Sequence, residues 1–331
     1  MKRISDIEKK YVMEALDNEF ASSKNNVFNQ RMEIAFSKKI GASFSIGHVN
    51  GTATMHTALN ALNVGTGDEV IVPPLTMSST SLAVLQNGSL PVFADINLDT
   101  FNIDVNSIEK NISNKTKGVI TVSLYGLTPD YDKINRLCKE RNLFLLEDNA
   151  QCLLGKYKNK FAGNFGDFSS FSFQASKHIT CGEGGILTTD NEDLADRARR
   201  FSSLGYAGIG ANKGKITKED IQDPSYDRHL CIGFNYRLSE VNAAVILGQI
   251  ERADELVAQR VAVAKIYDDA ISDSNIFIKQ KIPQECSNSY WSYALILNTN
   301  SPEIDWYKFK KIHNANGGEG YYAARNARVY C

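Results

Sequence analysis

The sequence predicts an α/β protein whose large domain is a mostly parallel sheet sandwiched by helices, followed by a smaller α+β domain. Short, nearly all-apolar runs recur between residues 44 and 173, which is typical of strands buried on both faces. Segments with helical spacing of their apolar residues separate several of these runs, as in parallel α/β folds. The length of 331 residues fits roughly two domains.

The predicted elements follow one another in chain order. The first forty residues carry a helical rhythm of apolar residues. Compact apolar runs predict strands at 44–49, 69–72, 91–95, 118–123, 143–146 and 168–173. Apolar residues three and four apart predict helices at 52–62, 78–87 and 131–140. Open α/β sheets bind ligands at the carboxyl ends of their strands, so the residues directly after each run are the candidates for a site.

The pattern changes after residue 238. A long helical stretch at 240–271 is followed by a predicted strand at 290–297 and by a polar, Gly-rich end. We therefore predict two domains: residues 1–245 form the large one, with an N-terminal helical segment, and residues 246–331 form the small one.

Composition and charge exclude several classes of protein. Hydrophobic residues make up 43% and charged residues 23%, which excludes a disordered or collagen-like chain. The 37 Lys and Arg nearly balance the 38 Asp and Glu, so we expect neither nucleic acid nor membrane as a partner. The six scattered cysteines form no metal-ligand spacing with the five histidines, so we expect free thiols and no metal. Without a signal peptide or a long apolar run, we expect a cytoplasmic protein.

Two polar segments that follow predicted strands favour an anionic, nitrogen-containing ligand. Asn50-Gly51-Thr52-Ala53 passes from a strand into a helix, where backbone amides and the helix dipole favour a phosphate. A helix cap by Thr52 is the simpler alternative. Asp148 ends a buried strand, where it either pairs with a pyridinium nitrogen or caps the next helix.

Two further segments supply an amine and a polar side chain. Lys177 follows the aromatic-lined strand 168–173 and precedes a Gly-rich turn. A lysine is usually a solvent-exposed charge, but a desolvated amine of lowered pKa can form an imine. In the segment Gly233–Glu240, Asn235 either caps a helix or reaches a site in a partner subunit. A phosphate cradle, a pyridinium partner and an amine are the requirements of pyridoxal 5′-phosphate.

Seven motifs occur in a telling order: Asn-Gly-Thr-Ala, Gly-Asp-Glu-Val-Ile-Val-Pro, Pro-Val-Phe-Ala-Asp-Ile, Glu-Asp-Asn-Ala-Gln, Gly-Asp-Phe-Ser-Ser-Phe-Ser-Phe, Lys-His-Ile-Thr-Cys-Gly-Glu-Gly-Gly and Asn-Tyr-Arg-Leu-Ser-Glu. This series resembles the DegT/DnrJ/StrS family of pyridoxal-phosphate-dependent sugar aminotransferases, which have the aspartate aminotransferase fold (fold type I). The resemblance covers roughly residues 1 to 265. It implies a homodimer with each active site at the subunit interface.

The resemblance also implies a reaction and its residues. The expected reaction moves an amino group from L-glutamate to the C4 or C3 keto group of a nucleotide-linked deoxy-sugar, in making an amino sugar for a surface polysaccharide or a secondary metabolite. Lys177 matches the lysine that binds the cofactor as an imine, and Asp148 matches the acid at the pyridine nitrogen. The other matched cofactor-binding positions are Gly51, Thr52, Ala53, Met77, Gln151, Ser172 and Asn235. Arg237 and His178 are the expected substrate contacts.

Three features depart from the family pattern. Met77 stands where an aromatic residue usually stacks on the pyridine ring, and a thioether can also pack on a ring face. The dehydratase branch has histidine in place of the imine lysine, and here Lys177 is present with His178 only as its neighbour. The sequence stops at Cys331 where relatives continue, so we expect a shortened small domain.

Two alternatives stay open from the sequence. One is a non-catalytic pyridoxal-phosphate-binding regulator of the same fold. The other is a different pyridoxal phosphate enzyme that acts on an amino acid, such as a decarboxylase or a cysteine desulfurase. A desulfurase needs a reactive cysteine in a loop, and Cys181 is the nearby candidate, although structural burial is the commoner role of such a residue.

Overall fold

The computed structural model of this protein describes residues 3–20, 28–212, 216–298 and 305–318. Its helices are α1 (Asp6–Asp17), α2 (Phe28–Ile40), α3 (Gly51–Ala61), α4 (Ser79–Gln86), α5 (Val105–Lys110), α6 (Tyr131–Arg141), α7 (Glu192–Phe201), α8 (Lys218–Gln222), α9 (Glu240–Glu251), α10 (Ala253–Ala270) and α11 (Trp306–Ala315). Its strands are β1 (Phe44–His48), β2 (Glu69–Val72), β3 (Leu90–Phe93), β4 (Thr116–Val122), β5 (Phe144–Asp148), β6 (Lys156–Tyr157), β7 (Lys160–Phe161), β8 (Phe168–Ser172), β9 (Gly185–Thr189), β10 (Phe277–Lys279), β11 (Cys286–Ser287) and β12 (Leu295–Leu297). The predicted shortening of the small domain concerns residues outside the described ranges. Among the helices described, none has the length and apolar character needed to cross a membrane.

A seven-stranded sheet in the order β1-β9-β8-β5-β4-β2-β3 forms the centre of the fold. Strands β3, β2, β4, β5 and β8 are paired in parallel, whereas β9 runs antiparallel to both of its neighbours. Small sheets β11-β6-β7 and β10-β12 lie outside it. The predicted α/β fold with a mostly parallel sheet is confirmed.

Both faces of the central sheet are covered, which explains why its strands are apolar throughout. Val119 and Leu145 pack in one core with residues of α6, while the next residue of each strand, Ile120 and Leu146, packs in a second core with residues of α3. Successive side chains of a strand point to opposite faces, so two buried faces require an uninterrupted apolar run.

The C-terminal part differs from its prediction in two details. The predicted helical stretch 240–271 is two helices, separated at Arg252. The predicted strand 290–297 is reduced to β12, and Tyr290 has φ +50°, a value that no regular strand has. The domain boundary predicted at residue 245 falls inside α9, which packs against α1 and α2 in one core. The division into two domains stays a prediction.

A buried ion pair fixes α1 to the α9–α10 corner. The carboxylate of Glu8, whose side chain is 1% exposed, lies 2.9 Å from Nη1 of Arg252 and also accepts from the amide nitrogen of Ser5 at 2.8 Å. Breaking such a pair leaves an uncompensated buried charge, so its geometry is strongly held. Arg3, whose carbonyl oxygen accepts from Arg252 at 3.3 Å, is thereby held near the C-terminal helices.

A second buried carboxylate fixes the end of β5. Glu147 is fully buried and accepts five hydrogen bonds, from the amides of Gly163, Phe165 and Gly166, the hydroxyl of Ser169 and the side-chain amide of Asn149. A buried carboxylate satisfied in this way ties β5 to the turn that enters β8. The next residue, Asp148, points to the opposite face of the sheet because side chains alternate along a strand.

Close packing between β4 and β5 gives a test of this core. An added Cβ at Gly118 would lie 2.4 Å from three ring atoms of Phe144. We expect Gly118→Ala to lower the free energy of unfolding by about 1–3 kcal/mol, because overpacking forces neighbouring groups to shift. Gly65→Ala is the matched control, since nothing lies within 4 Å of its added Cβ. Equal stability of the two variants in urea unfolding would contradict the close contact.

Candidate active site

Polar residues meet at the edge of the sheet where β1, β5 and β8 end. Gly51 follows β1 and begins α3, Asp148 ends β5, and Ser172 ends β8. Strands β5 and β8 are neighbours, with Asp148 paired to Ser170. Helix α3 reaches the same place, because the hydroxyls of Thr54 and Ser170 are 2.5 Å apart. The structure therefore brings the predicted carboxylate and the predicted cradle to one edge.

The N-terminus of α3 offers open backbone amides. Its cap is Asn50, whose Oδ1 accepts from the amide nitrogen of Ala53 at 2.8 Å, so the alternative of a cap by Thr52 is wrong. This bond uses the Ala53 N–H that we expected to face a phosphate. The amides of Gly51 and Thr52 have no acceptor within the described residues, and they lie at the positive end of the helix dipole.

Two glycines allow strands to approach this helix start. An added Cβ at Gly185 would lie 2.6 Å from the carbonyl carbon of Asn50 and 2.8 Å from the amide nitrogen of Gly51. One at Gly51 would lie 3.0 Å from Cβ of Ser172. Side chains at these positions would fill the cradle, whereas glycine leaves the amides and the Ser172 hydroxyl close together. Such a group of donors at a helix N-terminus suits a phosphate.

Asp148 is a buried carboxylate with one protein hydrogen bond on each oxygen. Oδ2 accepts from the hydroxyl of Thr80 at 2.8 Å, and Oδ1 accepts from the amide of Ala150 at 3.1 Å. Burial raises the pKa of Asp148, while Thr80, Ala150 and the positive charge of Lys177 oppose that increase. Each oxygen keeps a further lone pair, so the carboxylate can accept from a cationic N–H such as that of a pyridinium.

Thr80 is a site residue that the sequence analysis did not name. It lies in the first turn of α4, is fully buried, and its hydroxyl is also 3.2 Å from that of Thr76. The available signal was a pair of threonines four positions apart, beyond the two prolines that end the predicted strand 69–72. Met77 lies three residues before Thr80, and the residue is 67% exposed. Its stacking on a cofactor ring stays a prediction.

Lys177 lies in the turn after β8, with its amine against an aromatic ring. Its Nζ is 4.5 Å from the ring centroid of Trp291. Burial lowers the pKa of Lys177, the carboxylate of Asp148 raises it, and the positive charge of Arg260 lowers it further. This is the desolvated amine of lowered pKa that imine chemistry requires.

Gln151 holds a strained turn beside the lysine. Its Oε1 accepts from the amide of Tyr125 at 2.9 Å, and Tyr125 has φ +60°. The ring of Tyr125 is parallel to that of Trp291, with centroids 6.5 Å apart. No hydrogen bond within the described ranges uses Nε2 of Gln151, so this amide can still donate to a ligand oxygen. Its contact with a phenolic oxygen stays a prediction.

His178 is buried behind the lysine. Its Nε2 is 3.0 Å from the carbonyl oxygen of Ser289, and a carbonyl only accepts, so Nε2 carries the proton. Burial lowers the pKa of His178 to about 3, which keeps the ring neutral. This geometry gives His178 a packing role and does not support the predicted substrate contact.

Asn235 and Arg237 lie on an extended segment beside β1. The residue between them, Tyr236, donates its amide to the carbonyl of Ser202 at 2.9 Å, and its hydroxyl is 2.9 Å from Nδ1 of the buried His56. Asn235 and Arg237 are both exposed. The segment is therefore anchored at its middle residue and presents the two predicted site residues outward.

Cys181 does not have the properties of a nucleophile. Its thiol donates to the carbonyl oxygen of Glu183 at 3.2 Å, and burial raises its pKa to about 12. A reactive cysteine needs a lowered pKa. The cysteine desulfurase alternative therefore has no support from this residue.

Comparison with known proteins identifies the family of this site. A model of the DegT/DnrJ/EryC1/StrS aminotransferase family matches residues 2–318. The GDP-perosamine synthase of Escherichia coli O157:H7 is 37% identical over 292 residues, which cover 88% of this chain and 75% of that protein. The predicted family is confirmed.

Solved structures show the same architecture. An aminotransferase from Psychrobacter cryohalolentis is similar with a TM-score of 0.86 at 26% identity, over 95% of this chain and 81% of that one. A GDP-4-keto-6-deoxy-D-mannose-3-dehydratase from E. coli, solved with bound hydrated pyridoxal phosphate, has a TM-score of 0.85 at 25% identity. That similarity covers 96% of this chain and 82% of the dehydratase.

The Thr80–Asp148 hydrogen bond predicts a pH-dependent stability difference. The hydroxyl favours the ionised carboxylate, which forms as the pH rises through the raised pKa of Asp148. Above that pKa we expect Thr80→Val to lower the free energy of unfolding by about 1.5–3 kcal/mol, the usual range for a hydrogen bond to a charged group. Below it the loss should shrink. Thr80→Ser keeps the hydroxyl and is the control in urea titrations over pH. A difference between the two variants that does not change with pH would contradict the assignment.

Proposed function

Because the chain belongs to the DegT/DnrJ/EryC1/StrS aminotransferase family, we propose that it moves an amino group from L-glutamate to a keto group of a nucleotide-linked deoxy-sugar, with pyridoxal 5′-phosphate as cofactor. The observation that carries the proposal is a buried carboxylate, Asp148, together with a desolvated amine, Lys177, at one sheet edge beside the α3 N-terminus. The product is an amino sugar for a surface polysaccharide or a secondary metabolite.

Two neighbours support a GDP-linked 4-keto sugar as the first substrate to test. One relative is named a GDP-perosamine synthase, and one structural neighbour is a dehydratase of GDP-4-keto-6-deoxy-D-mannose. A keto group at C4 favours amination at that carbon over C3. The proposal therefore places C4 first and C3 second.

The residues at the sheet edge fit the parts of the cofactor. The amides of Gly51 and Thr52 and the hydroxyl of Ser172 would hold its phosphate at the positive end of α3. Asp148 would hold the ring nitrogen, and Lys177 would bind the aldehyde carbon through Nζ. Nε2 of Gln151 would donate to the phenolic oxygen, and Met77 would cover the ring, as the sequence predicts.

Each catalytic residue has a proton to hold or move. Pyridoxal phosphate, when bound, supplies an electron sink for the carbanion that forms at Cα of the amino donor. Asp148 would keep the ring nitrogen protonated, because a buried carboxylate favours a positive partner. The lowered pKa of Lys177 raises its neutral fraction, so that, once the amino donor has displaced it from the cofactor, its Nζ would act as the base that takes the proton from the donor Cα. Lys177 moves a proton in the reverse direction when the keto sugar is aminated.

We place the enzyme in the cytoplasm as a homodimer whose subunits share each site. Cys138, Cys152, Cys181, Cys231 and Cys286 are free thiols, as is usual in a reducing compartment. Asn235 would reach the phosphate bound by the partner, with Arg237 near the substrate. Exposed apolar side chains on α4 and on the segment just before Asn235 are the expected contacts between subunits: Leu82, Leu85, Leu230, Ile232 and Phe234.

Lys177→Ala tests the chemistry. We expect turnover of glutamate with keto sugar to fall by at least about 10³-fold, because the variant lacks both the covalent attachment and the proton-transferring amine. The absorbance band of the lysine-linked cofactor should disappear. Lys110→Ala, at an exposed position of α5, is the control and should change neither.

The measurement is a spectroscopic titration with L-glutamate, followed by a panel of nucleotide keto sugars. A Lys177→Ala enzyme with wild-type turnover would overturn the assignment. A wild-type protein that binds the cofactor but shows no conversion with glutamate would instead support the regulatory alternative.

Mixing two variants tests the shared site. Asn235→Ala should weaken cofactor binding by more than about tenfold, since it removes a hydrogen bond to a charged phosphate. If Asn235 acts across the dimer, unfolding and refolding a mixture of Asn235→Ala and Lys177→Ala chains restores intact sites. At equal amounts about a quarter of all sites should recover, one in each mixed dimer. No recovery, with mixed dimers demonstrated by native mass spectrometry, would place Asn235 in its own subunit's site or outside any site.

A further inference from the structure

The segment that carries the reactive lysine, residues 174–180, is held by a side chain that the proposed mechanism does not use. Arg260, on α10, donates from Nη1 to the carbonyl of Trp291 at 2.7 Å. From Nη2 it donates to the carbonyls of Ser176 and Lys177, at 3.2 Å each. The indole Nε1 of Trp291 donates to the carbonyl of Ser176 at 3.1 Å, and the same indole lies against Lys177 Nζ.

These contacts form a closed loop in which the amine is one member, because Lys177 Nζ lies against the ring of Trp291 and Arg260 joins the two backbones. The guanidinium binds both the backbone of the lysine and the backbone of the aromatic residue that covers the lysine's amine. A guanidinium can do this because it is planar and presents donors in a fixed fork, whereas an ammonium group is a single point charge on a flexible chain. Arg260 therefore sets the distance between two backbone segments 114 residues apart, and the position of Nζ follows from it.

The positive charges around the backbone of Lys177 are also unusual for a purely structural contact. Arg3 donates to the carbonyls of Ala175 and Lys177, so two guanidinium groups share one carbonyl next to a lysine. Burial and then the charge of Arg3 lower the pKa of Arg260, and the charge of Arg260 disfavours the ammonium form of Lys177. Asp148 is the carboxylate whose charge opposes this effect. A neutral donor would hold the backbone without that repulsion, which points to a use for the charge.

We propose that Arg260 is a positioning residue for amino transfer, which locks Lys177 and Trp291 into one arrangement and keeps the amine ready to accept a proton. The inference rests on the proposed function. It adds to that function a residue from α10 whose hydrogen bonds go to the backbone carbonyls of Trp291, Ser176 and Lys177. It also joins the C-terminal part of the chain to the sheet edge, since the ring of Trp291 is parallel to that of Tyr125 on the other side.

Three variants separate geometry from charge. Arg260→Gln removes both the fork and the charge, and Arg260→Lys removes only the fork. Arg136→Gln removes one positive charge from an exposed position of α6 and is the control. For Arg260→Gln and Arg260→Lys we expect kcat to fall by about tenfold or more, with KM for glutamate changed less than about threefold, because misplacing a catalytic group slows the chemical step.

Hydrogen exchange measures how firmly the backbone around Lys177 is held, and it does not depend on enzyme turnover. In the full chain, analysed by mass spectrometry, the amides of peptides covering 174–181 should exchange about tenfold faster in both Arg260 variants than in Arg136→Gln. The amide of Lys177, which donates to the carbonyl of Gln174 at 2.9 Å, is the main reporter.

Acylation of Lys177 measures how the positive charge of Arg260 affects the pKa of the amine. The full chain, freed of cofactor, is labelled with acetic anhydride over a range of pH, and labelling at Lys177 is quantified by mass spectrometry. The charged groups that act on this amine are Asp148 from β5 and Arg260 from α10, with Arg3 bonded to its carbonyl and neutral His178 beside it. Because Arg260 lowers the pKa of Lys177, Arg260→Gln should move the labelling midpoint to higher pH. Arg260→Lys should leave it unchanged.

The outcomes are distinct. The proposal is overturned if Arg260→Gln matches Arg136→Gln in exchange and kcat, or if Arg260→Lys restores both, which would leave charge as the only contribution. Trp291→Phe, which keeps the ring but loses the bond to Ser176, should show a smaller effect in the same direction if the Arg260 variants fail to fold. A wild-type protein that aminates no keto sugar would refute the proposed function, while the exchange and acylation data would still show whether Arg260 holds Lys177 and Trp291 in place.

Discussion

Burying an ionised carboxylate is the physical constraint on which this site depends. Asp148 can stay ionised in its buried position only because a hydroxyl, an amide and a nearby amine compensate for lost hydration. Each compensating group needs its own support. Thr80 comes from the first turn of α4, and β5 is fixed by the five hydrogen bonds of Glu147. Much of the fold serves to hold these compensating groups close to the carboxylate of Asp148.

The same interactions have a cost in stability that a ligand can offset. Burial raises the pKa of Asp148 and lowers that of Lys177. The charged form of each group is therefore less stable in the folded chain than in water. Two guanidinium groups on one carbonyl add repulsion. A bound phosphate and a protonated ring nitrogen would offset both effects, and any ligand that binds only the folded state stabilises it by mass action. A strained, charged site is the usual place for such a trade between stability and activity.

Local sequence predicts site residues that follow directly from their own strand. It does not predict residues that the tertiary structure brings to the site from distant parts of the chain. The apolar run at 143–146 predicts β5, and the position of Asp148 follows from it. Thr80 is 68 positions away from its partner, and its spacing from Thr76 does not reveal that its hydroxyl reaches Asp148. At the start of α3 two neighbouring polar residues could act as the cap, and the geometry selects Asn50 over Thr52. Apolar spacing continues through 240–271, so the break at Arg252, where the chain meets Glu8, is a tertiary effect that periodicity does not record.

The position of Arg3 has a practical consequence for anyone who handles this protein. Its guanidinium bonds to the backbone on both sides of Ser176, and its own carbonyl is held by Gln249 and Arg252. Affinity tags, fusion partners or proteolytic trimming that displace this residue would act on the reactive lysine from 174 positions away. We therefore expect preparations in which Arg3 is displaced to differ in kcat from those in which it keeps these contacts.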